Sequence, residues 1–246
     1  MRYPRTLTNS AKSTQRFGIR GQECQSVPVE HVWSIVLAAG SGSRFGGNKQ
    51  LAMLGNQRVL DWSVEVARSC TEGVILVINP ENIEDTADLN VDVVVSGGAT
   101  RSESVRNGLG ALPDAVNIVV IHDAARPGAS AALYQSVIDA VKAGADAAIP
   151  GLAVTDTLKQ VKDGPGGKEV VSTMDRDTTT AVQTPQAFDR KMLEAAHLDT
   201  QEATDDAGLL EAIGGTVKVV PGDVAAIKIT TQSDLAIAAE LMGLNK

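Results

Sequence analysis

One stretch decides the fold: Trp33-Ser34-Ile35-Val36-Leu37-Ala38-Ala39-Gly40-Ser41-Gly42-Ser43-Arg44. Its apolar first half predicts a buried strand, and its glycine-rich second half predicts a loop at the carboxyl end of that strand. Residues without bulky side chains let backbone N–H groups approach phosphate oxygens. Arg44 and Lys49 add two positive charges within reach of the same phosphates. The stretch therefore predicts a phosphate site directly after the first strand of an α/β sheet.

Outward from this stretch, apolar β-prone runs alternate with helical patterns. The predicted strands occupy residues 33–38, 73–78, 91–95, 117–121, 147–150, 217–220 and 226–229. The predicted helices occupy residues 59–69, 101–112, 131–143, 190–197, 205–213 and 235–242, the last after a capping-box pattern at Thr231 and Asp234. Strands that alternate with helices at this spacing are typical of parallel sheets with right-handed crossovers. The fold class is therefore α/β: a Rossmann-like, doubly wound, mostly parallel sheet.

Two segments depart from this alternation. Around the turn Gly164-Pro165-Gly166-Gly167, two short β-prone stretches predict a protruding β-hairpin arm at about 155–177. An excursion of this size is typical of an active-site flap or an oligomerisation arm. Residues 1–31 are Arg- and Ser-rich with no acid before Glu23, and we expect a disordered N-terminal extension there, with plastid import as the alternative. Residues 32–246 are then one domain.

The composition limits the classes of partner. With 22 Lys and Arg against 30 Asp and Glu, the net charge is −8, which argues against nucleic-acid binding because a phosphate backbone requires a basic face. No apolar run has the length of a transmembrane helix, so we expect no membrane partner. An acidic protein can still bind a nucleotide if it concentrates a few cations in one cleft.

The sequence of the glycine loop does not match two common nucleotide-binding motifs. Gly40-x-Gly42 lacks the third glycine of a dinucleotide fingerprint, which disfavours a dehydrogenase, and Lys49 lacks the flanking residues of a P-loop. A strand followed by AAGxGxR and a downstream Lys resembles the signature of nucleotidyltransferases. The spacing of five residues between Arg44 and Lys49 is shorter than the usual one in methylerythritol-phosphate enzymes and resembles a molybdopterin cytidylyltransferase, so this loop indicates only the superfamily.

Later motifs narrow the resemblance. They are GGATRSESVRNGL at 97–109, HDAARP at 122–127, DTLK at 156–159, QTPQAF at 183–188, TDDA at 204–207 and IKIT at 227–230. Together they resemble the cytidylyltransferase family that makes 4-diphosphocytidyl-2-C-methyl-D-erythritol from CTP. Two departures, Ala226 in place of the family's Asn and the absence of a Leu-Trp pair before QTPQ, concern local packing. The resemblance covers residues 33–241.

The resemblance implies roles for individual residues. The catalytic residues are expected to be Arg44, Lys49 and Lys228. The nucleotide-binding residues are expected to be Ala38, Ala39, Gly40, Gly42, Gly98, Ser104 and Asp123. The acceptor-binding residues are expected to be Arg126, Thr157, Arg176, Thr184 and Thr204. Asp123 also follows a predicted strand, where one carboxylate together with substrate phosphates can hold Mg²⁺.

The implied reaction transfers CMP from CTP to a polyol phosphate. A phosphate monoester is largely dianionic at neutral pH, so it needs no general base, and catalysis depends on positioning and charge neutralisation. In the family, the counterparts of Thr157 and Arg176 come from a partner subunit, so a homodimer through the hairpin arm is expected. The two distant cysteines, Cys24 and Cys70, form no disulfide or zinc pattern, so a reducing, cytoplasmic location is expected. The alternatives are a ribitol-5-phosphate cytidylyltransferase, against which HDAARP argues, and a non-catalytic nucleotide-binding module.

Overall fold

The computed structural model describes residues 30–40, 42–198 and 203–245. Its strands are β1 (His31–Leu37), β2 (Met53–Leu54), β3 (Gln57–Arg58), β4 (Gly73–Ile78), β5 (Val93–Ser96), β6 (Val116–Asp123), β7 (Ala147–Ala153), β8 (Lys159–Gly164), β9 (Gly167–Thr173), β10 (Thr180–Val182), β11 (Gln186–Asp189) and β12 (Val217–Pro221). Its helices are α1 (Val59–Cys70), α2 (Arg101–Leu109), α3 (Ala131–Lys142), α4 (Arg190–Ala196), α5 (Asp206–Ala212) and α6 (Gln232–Leu241). The predicted N-terminal extension lies outside the described residues, apart from Glu30 and His31.

The central sheet is mixed and mostly parallel, as predicted. Its order is β10-β7-β11-β6-β1-β4-β5, and β12 pairs with β7. The pairs β1–β4, β1–β6, β4–β5 and β7–β12 are parallel, whereas β11 runs antiparallel to both β6 and β7. The residues of β4 and most of β6 are buried, as expected for strands covered on both faces.

The register brings several strand ends to one edge. Leu37, the last residue of β1, pairs with Val77 of β4 and with Asp123 of β6. Two backbone hydrogen bonds join the three strands just beyond this point: Ala38 N donates to Val77 O, and Ala124 N donates to Leu37 O. Parallel strands that end together form the edge where ligands bind in open α/β sheets.

Helices cover both faces of the sheet and create two cores. One core joins the sheet to α1 and α3, with Leu60, Val64 and Tyr134 fully or almost fully buried. The other joins it to α2, α4 and α5, with Val105 and Leu193 fully buried. Burying side chains of this size contributes about 1.5–3 kcal/mol each, so these two layers fix the sheet that carries the strand ends.

A third, smaller hydrophobic core lies beside α6. It consists of Phe45, Leu54, Val59, Ile229 and Ala238. Phe45 belongs to the glycine loop, and Ile229 belongs to a segment that follows β12 in the chain. A capping box formed by Thr231 and Asp234 begins α6 as predicted. This cluster therefore packs two distant loops against one helix.

The segment 226–229 was wrongly predicted as a strand. It crosses the loop after β6 and makes a backbone hydrogen bond there, from Ile229 N to Ala125 O at 2.8 Å, in place of a ladder along a sheet edge. The antiparallel strands β10 and β11 were not predicted as strands, because their short sequence between 180 and 189 has no alternation of its own. No helix in the described ranges is long and apolar enough to span a membrane.

The predicted hairpin arm is present as β8 and β9, which pair antiparallel with one another. Its first strand begins two residues later than the predicted β-prone stretch, at Lys159. All of β9 and most of β8 are exposed, including the side chains of Val161, Val170 and Val171, and Met174 directly after β9 is exposed too. The arm thus presents apolar residues to solvent.

Candidate active site

A cleft of about 430 Å³ opens at the edge where β1, β4, β5 and β6 end. Its walls come from the residues directly after these strands, from the start of α2 and from Lys228. They are Leu37, Ala39, Gly40, Lys49, Gln50, Asn79, Gly98, Ala99, Thr100, Arg101, Ser104, Asp123, Ala125 and Lys228. The sheet topology thus collects residues from five distant parts of the chain in one cleft.

The glycine loop is held in one shape from within. Gly42 has φ +62°, and a Cβ there would lie 2.3 Å from the carbonyl oxygen of Gly47, so only glycine fits. Gln50 is buried and donates from Nε2 to Gly40 O at 3.1 Å. Between these ties, Phe45 is anchored in the third core. The described part of the loop, Gly40 and residues 42–50, is therefore positioned before any anion binds.

The opposite wall is the turn from β5 into α2. A Cβ on Gly97 would lie 2.2 Å from Ala39 Cβ, so the two loops approach as closely as their backbones allow. The Ser104 hydroxyl accepts from Gly98 N at 3.1 Å and donates to Thr100 O at 2.9 Å. These bonds fix the shape of a slot between the two glycine-containing loops.

Asp123 and Lys228 form the ionic centre of the cleft. Lys228 Nζ lies 2.7 Å from Asp123 Oδ2, and Arg101 Nε lies 3.9 Å from Asp123 Oδ1. Burial alone would raise the pKa of Asp123, but the charges of Lys228 and Arg101 outweigh it and lower the pKa to about 2. Asp123 is therefore an ionised carboxylate at the end of β6. Ile229, fully buried beside Lys228, fixes the backbone that carries this lysine.

A second cavity, of about 200 Å³, adjoins the first. It shares Arg101, Asp123 and Lys228 with the cleft. Its other lining residues are Arg126, Val182, Gln183, Thr184, Gln186, Thr204 and Asp205. A ligand in one cavity and a ligand in the other would meet at the three shared charged residues.

Some side chains of this second cavity already make hydrogen bonds to neighbouring groups of the protein. Thr184 Oγ1 accepts from Asp123 N at 3.0 Å and lies 3.1 Å from His122 Nδ1. Burial lowers the pKa of His122 to about 4, so the ring that shares this hydrogen bond with the Thr184 hydroxyl is neutral at neutral pH. Arg126 donates from Nη1 to Ala226 O at 2.8 Å. Thr184 thus positions the Asp123 backbone, and Arg126 ties the loop after β6 to the segment before Lys228.

Positive charge exceeds negative charge in the two cavities. Burial and the neighbouring charge of Lys228 lower the pKa of Lys49, and Arg44 contributes in the same direction. Burial also lowers the pKa of Arg126. Lys49, Arg101, Arg126 and Lys228 thus share these walls in a protein of net charge −8. An anionic ligand would relieve their repulsion, which is what a triphosphate site requires.

The structure places most of the predicted residues in these walls. Those in the cleft are Ala39, Gly40, Lys49, Gly98, Ser104, Asp123 and Lys228. Those in the second cavity are Arg126, Thr184 and Thr204. Ala38 is buried below the loop, Gly42 shapes the loop, and Arg44 is exposed outside the walls although its charge reaches Lys49.

Thr157 and Arg176 lie elsewhere, at the base of the arm. Both are exposed, and neither belongs to the walls of the two cavities. Arg176 Nη1 donates to Thr155 O at 3.1 Å, and its side chain is 57% exposed. One chain by itself therefore does not bring these two predicted acceptor residues to its own cavities.

Several wall residues were not predicted from the sequence, among them Asn79, Arg101 and Gln50. Asn79 directly follows β4. Ligands bind at the carboxyl ends of strands in such sheets, and this rule, which identified Asp123, could also have identified Asn79. Arg101 stands inside the GGATRSES motif, but a helix start was a sufficient explanation for it. Gln50 directly follows Lys49, and its hydrogen bond to Gly40 O depends on the fold of the loop, which no local pattern predicts.

Known proteins resemble this chain over nearly all of its described length. A family model described as 2-C-methyl-D-erythritol 4-phosphate cytidylyltransferase (IspD) matches residues 32–243. The relative of that name from Frankia casuarinae is 44% identical over 223 residues, which are 88% of this chain and 83% of the relative. A bifunctional enzyme IspD/IspF from Oleidesulfovibrio alaskensis is 40% identical over 84% of this chain and 57% of that enzyme. The chain thus spans about half the length of the bifunctional relatives it matches.

Solved structures are similar over the same extent. The 2-C-methyl-D-erythritol 4-phosphate cytidylyltransferase from Thermus thermophilus superposes with a TM-score of 0.73 at 33% identity, covering 87% of this chain and 100% of that one. The 4-diphosphocytidyl-2C-methyl-D-erythritol synthase from Anaerococcus prevotii gives 0.73 at 31% identity, covering 87% of this chain and 99% of that one. The similarity therefore extends over most of the fold.

Proposed function

The chain belongs to the 2-C-methyl-D-erythritol 4-phosphate cytidylyltransferase family, and from this premise we propose that it transfers CMP from CTP to 2-C-methyl-D-erythritol 4-phosphate. An oxygen of the acceptor's phosphate attacks the α-phosphorus of CTP and forms a new P–O bond. The bond from the α-phosphorus to the oxygen that bridges to the β-phosphorus breaks, and its electron pair leaves with pyrophosphate. The other product is 4-diphosphocytidyl-2-C-methyl-D-erythritol.

The observation that carries this proposal is the pair of cavities that share Arg101, Asp123 and Lys228. Joining two phosphates requires two anions to meet, and here two cavities meet at charged residues. The larger cavity, with its glycine loop and slot, has the volume and backbone donors for a nucleotide. The smaller cavity can take only a short phosphorylated chain. Both lie at the edge of the sheet where ligands bind in this class of fold.

The chemistry explains why the site has no general base. The second pKa of a phosphate monoester is about 6, so the acceptor arrives at neutral pH as a dianion ready to attack. The buried His122 faces Thr184 and is unsuited to proton transfer from a ligand. The barrier is electrostatic, and preorganised cations lower it most when they need not reorganise during reaction. Lys49 and Lys228, held on loops anchored by Phe45 and Ile229, meet this requirement.

We assign the individual roles accordingly. Arg44 and Lys49 bind the triphosphate, and Lys228 neutralises charge where the two phosphates join. The slot residues bind the base and ribose, and they are Ala39, Gly40, Gly98 and Ser104. Arg126, Thr184 and Thr204 border the acceptor, with Thr184 acting mainly by holding the Asp123 backbone.

The residues present fit a Mg²⁺ ion that protein and substrate hold jointly. Asp123 stays ionised far below neutral pH. Among the described residues, no three His, Cys, Asp or Glu side chains converge to make a metal site of protein ligands alone. Mg²⁺ is usually bound through one or two carboxylates plus substrate phosphates. Asp123 would hold the ion, and the ion when bound would neutralise phosphate charge.

The hairpin arm supports a homodimer in which each arm completes the partner's site. The arm's strands pair only with one another in the described chain, and its valines are exposed. Beside the acceptor cavity lies an open groove of about 370 Å³ with a largely apolar lining. It is lined by Arg126, Leu152, Ala181, Val182, Gln183, Val224, Ile227 and Lys228. An arm of a second copy that packs here would bring its Thr157 and Arg176 near the acceptor.

The proposed function is tested by measuring pyrophosphate release from CTP and Mg²⁺ with a panel of acceptors. We expect release with 2-C-methyl-D-erythritol 4-phosphate and little with ribitol 5-phosphate, erythritol 4-phosphate or inorganic phosphate. Mass spectrometry should identify the cytidine diphosphate ester in the same reaction. Release with ribitol 5-phosphate alone would overturn the acceptor, and no release with any acceptor would overturn cytidylyl transfer.

A further inference from the structure

Arg101 lies where the two cavities meet. It is the first residue of α2, and its side chain belongs to the walls of both cavities. One side of its guanidinium approaches the ionic centre, since Nε lies 3.9 Å from Asp123 Oδ1. The other side pairs with Asp206, since Nη1 lies 2.8 Å from Asp206 Oδ2. Arg101 thus bridges two carboxylates that come from different parts of the chain.

Asp206 is unusual because it is an acidic residue at a buried position. Its side chain is fully buried at the start of α5. A buried carboxylate is costly unless it is paired, and apolar replacements of whole buried pairs are often neutral or stabilising. Asp206 has two partners, Arg101 on one oxygen and the buried His197, whose Nε2 lies 3.0 Å from Oδ1. Stability alone therefore does not explain this assembly.

The assembly does fix the direction of the Arg101 side chain. An arginine fork binds phosphate bidentately and needs a defined orientation, whereas a lysine is a mobile point charge. Among the described cations of the two cavities, Arg101 is the one that is paired with a fully buried carboxylate, that of Asp206. Arg126 is held by the carbonyl oxygens of Ala226 and Val182 instead. The structure thus orients one guanidinium at the junction where the proposed phosphates join.

On the basis of the proposed function, we infer that Arg101 is a further catalytic residue, which binds the acceptor's phosphate at the cavity junction and the new diphosphate after transfer. Asp206 and His197 are positioning residues that act through Arg101. The inference rests on the shared wall, the two distances and the buried carboxylate. A merely structural bond between α2 and α5 would be independent of which substrate is bound.

The first test compares Arg101→Met and Asp206→Asn with the unaltered protein. Loss of a hydrogen bond to a charged group predicts a roughly 10- to 100-fold lower kcat/KM for the acceptor in Arg101→Met. Asp206→Asn should lower it in the same direction, by about 10-fold or less. The dissociation constant of CTP, measured by calorimetry without acceptor, should change less than about threefold in both variants. An equal loss for CTP and acceptor would overturn the assignment to the acceptor.

The second test is a double-mutant cycle on acceptor kcat/KM. If Asp206 acts through Arg101, Asp206→Asn should have no further effect when Arg101 is already Met. The double variant removes both charges together, so we expect it to fold even where a single charge left unpaired destabilises the protein. A full additional loss in the double variant would overturn the positioning role. Arg68→Ala, which removes an Arg–Asp pair with Asp92 outside both cavities, is the matched control and should keep normal kinetics.

Direct binding separates this inference from the proposed function. Calorimetry with 2-C-methyl-D-erythritol 4-phosphate, in the presence of a non-hydrolysable CTP analogue, needs no turnover. Weaker binding to Arg101→Met, in a protein that releases no pyrophosphate, would support the anion site while the reaction fails. Normal binding and normal kinetics in Arg101→Met would overturn the inference while the reaction stands.

Discussion

Replacing Asp123 with asparagine is the perturbation whose effect the structure defines best. The change removes one negative charge that faces Lys228 at 2.7 Å and Arg101 at 3.9 Å, and it keeps the shape of the side chain. The side chain is only 12% exposed, so solvent screens these charges weakly. Because the cations then lack their common partner, we expect the variant to be less stable at neutral pH.

The magnitude follows from the pKa of Asp123. Its fall from 3.8 to about 2 means that folding stabilises the ionised form by about 2 kcal/mol, at ~1.4 kcal/mol for each pKa unit. A carboxyl whose pKa is lowered in the folded state contributes stability above its unfolded pKa and loses it as the pH falls through the folded pKa. The contribution is therefore complete above about pH 5, about half present at pH 3, and lost near pH 2 and below.

The assay is urea denaturation of the two proteins at pH 7 and at pH 3. We expect Asp123→Asn to be less stable by about 2 kcal/mol at pH 7 and by about half of that at pH 3. Asp88→Asn, which changes an exposed carboxylate paired with Arg58, is the control and should alter stability little. A variant as stable as the unaltered protein at pH 7, or a difference that does not shrink at pH 3, would refute the reasoning.

Three further outcomes are expected. Lys49→Ala should lower turnover about 10²–10³-fold without loss of folding, whereas the exposed Lys142→Ala should not, and near-normal turnover in Lys49→Ala would contradict its role. Gly97→Ala places a methyl group 2.2 Å from Ala39 Cβ, so the melting temperature or the CTP affinity should fall, and a variant unchanged in both would contradict the close approach. Mixing inactive Lys49→Ala and Arg176→Ala proteins should restore up to about a quarter of normal activity if arms act in the partner's site, and no recovery would exclude that exchange.

Much of the fold was predictable because parallel strands leave a clear local pattern. The runs that became β1, β4 and β6 are apolar, and each ends at, or directly before, a residue that lines the cleft. The strand-end rule then placed Asp123 correctly at the centre of the site. Gly42, predicted as a nucleotide-binding residue, shapes the glycine loop through a positive φ that only a glycine adopts without strain, and it does not line the cleft.

The rest depended on contacts that no local pattern contains. The segment 226–229 has a strand-like composition, yet its position is set by a bond to the loop after β6 and by the burial of Ile229 against α6. The pairing of Arg101 with Asp206 joins residues 105 positions apart. His197 carried no motif, and its meaning comes only from its buried neighbour, Asp206. Sequence therefore indicates which residues can do the chemistry, and tertiary packing decides which of them face one another.

The central claim is that these adjoining cavities join CTP to one particular polyol phosphate. The most direct measurement is a competition in which limiting CTP, Mg²⁺ and the protein meet equal concentrations of 2-C-methyl-D-erythritol 4-phosphate and ribitol 5-phosphate, with the products quantified by mass spectrometry. We expect the methylerythritol diphosphate ester to predominate at least tenfold, and we expect one pyrophosphate for each ester formed. A product mixture dominated by the ribitol ester, or CTP consumed without either ester, would contradict the central claim.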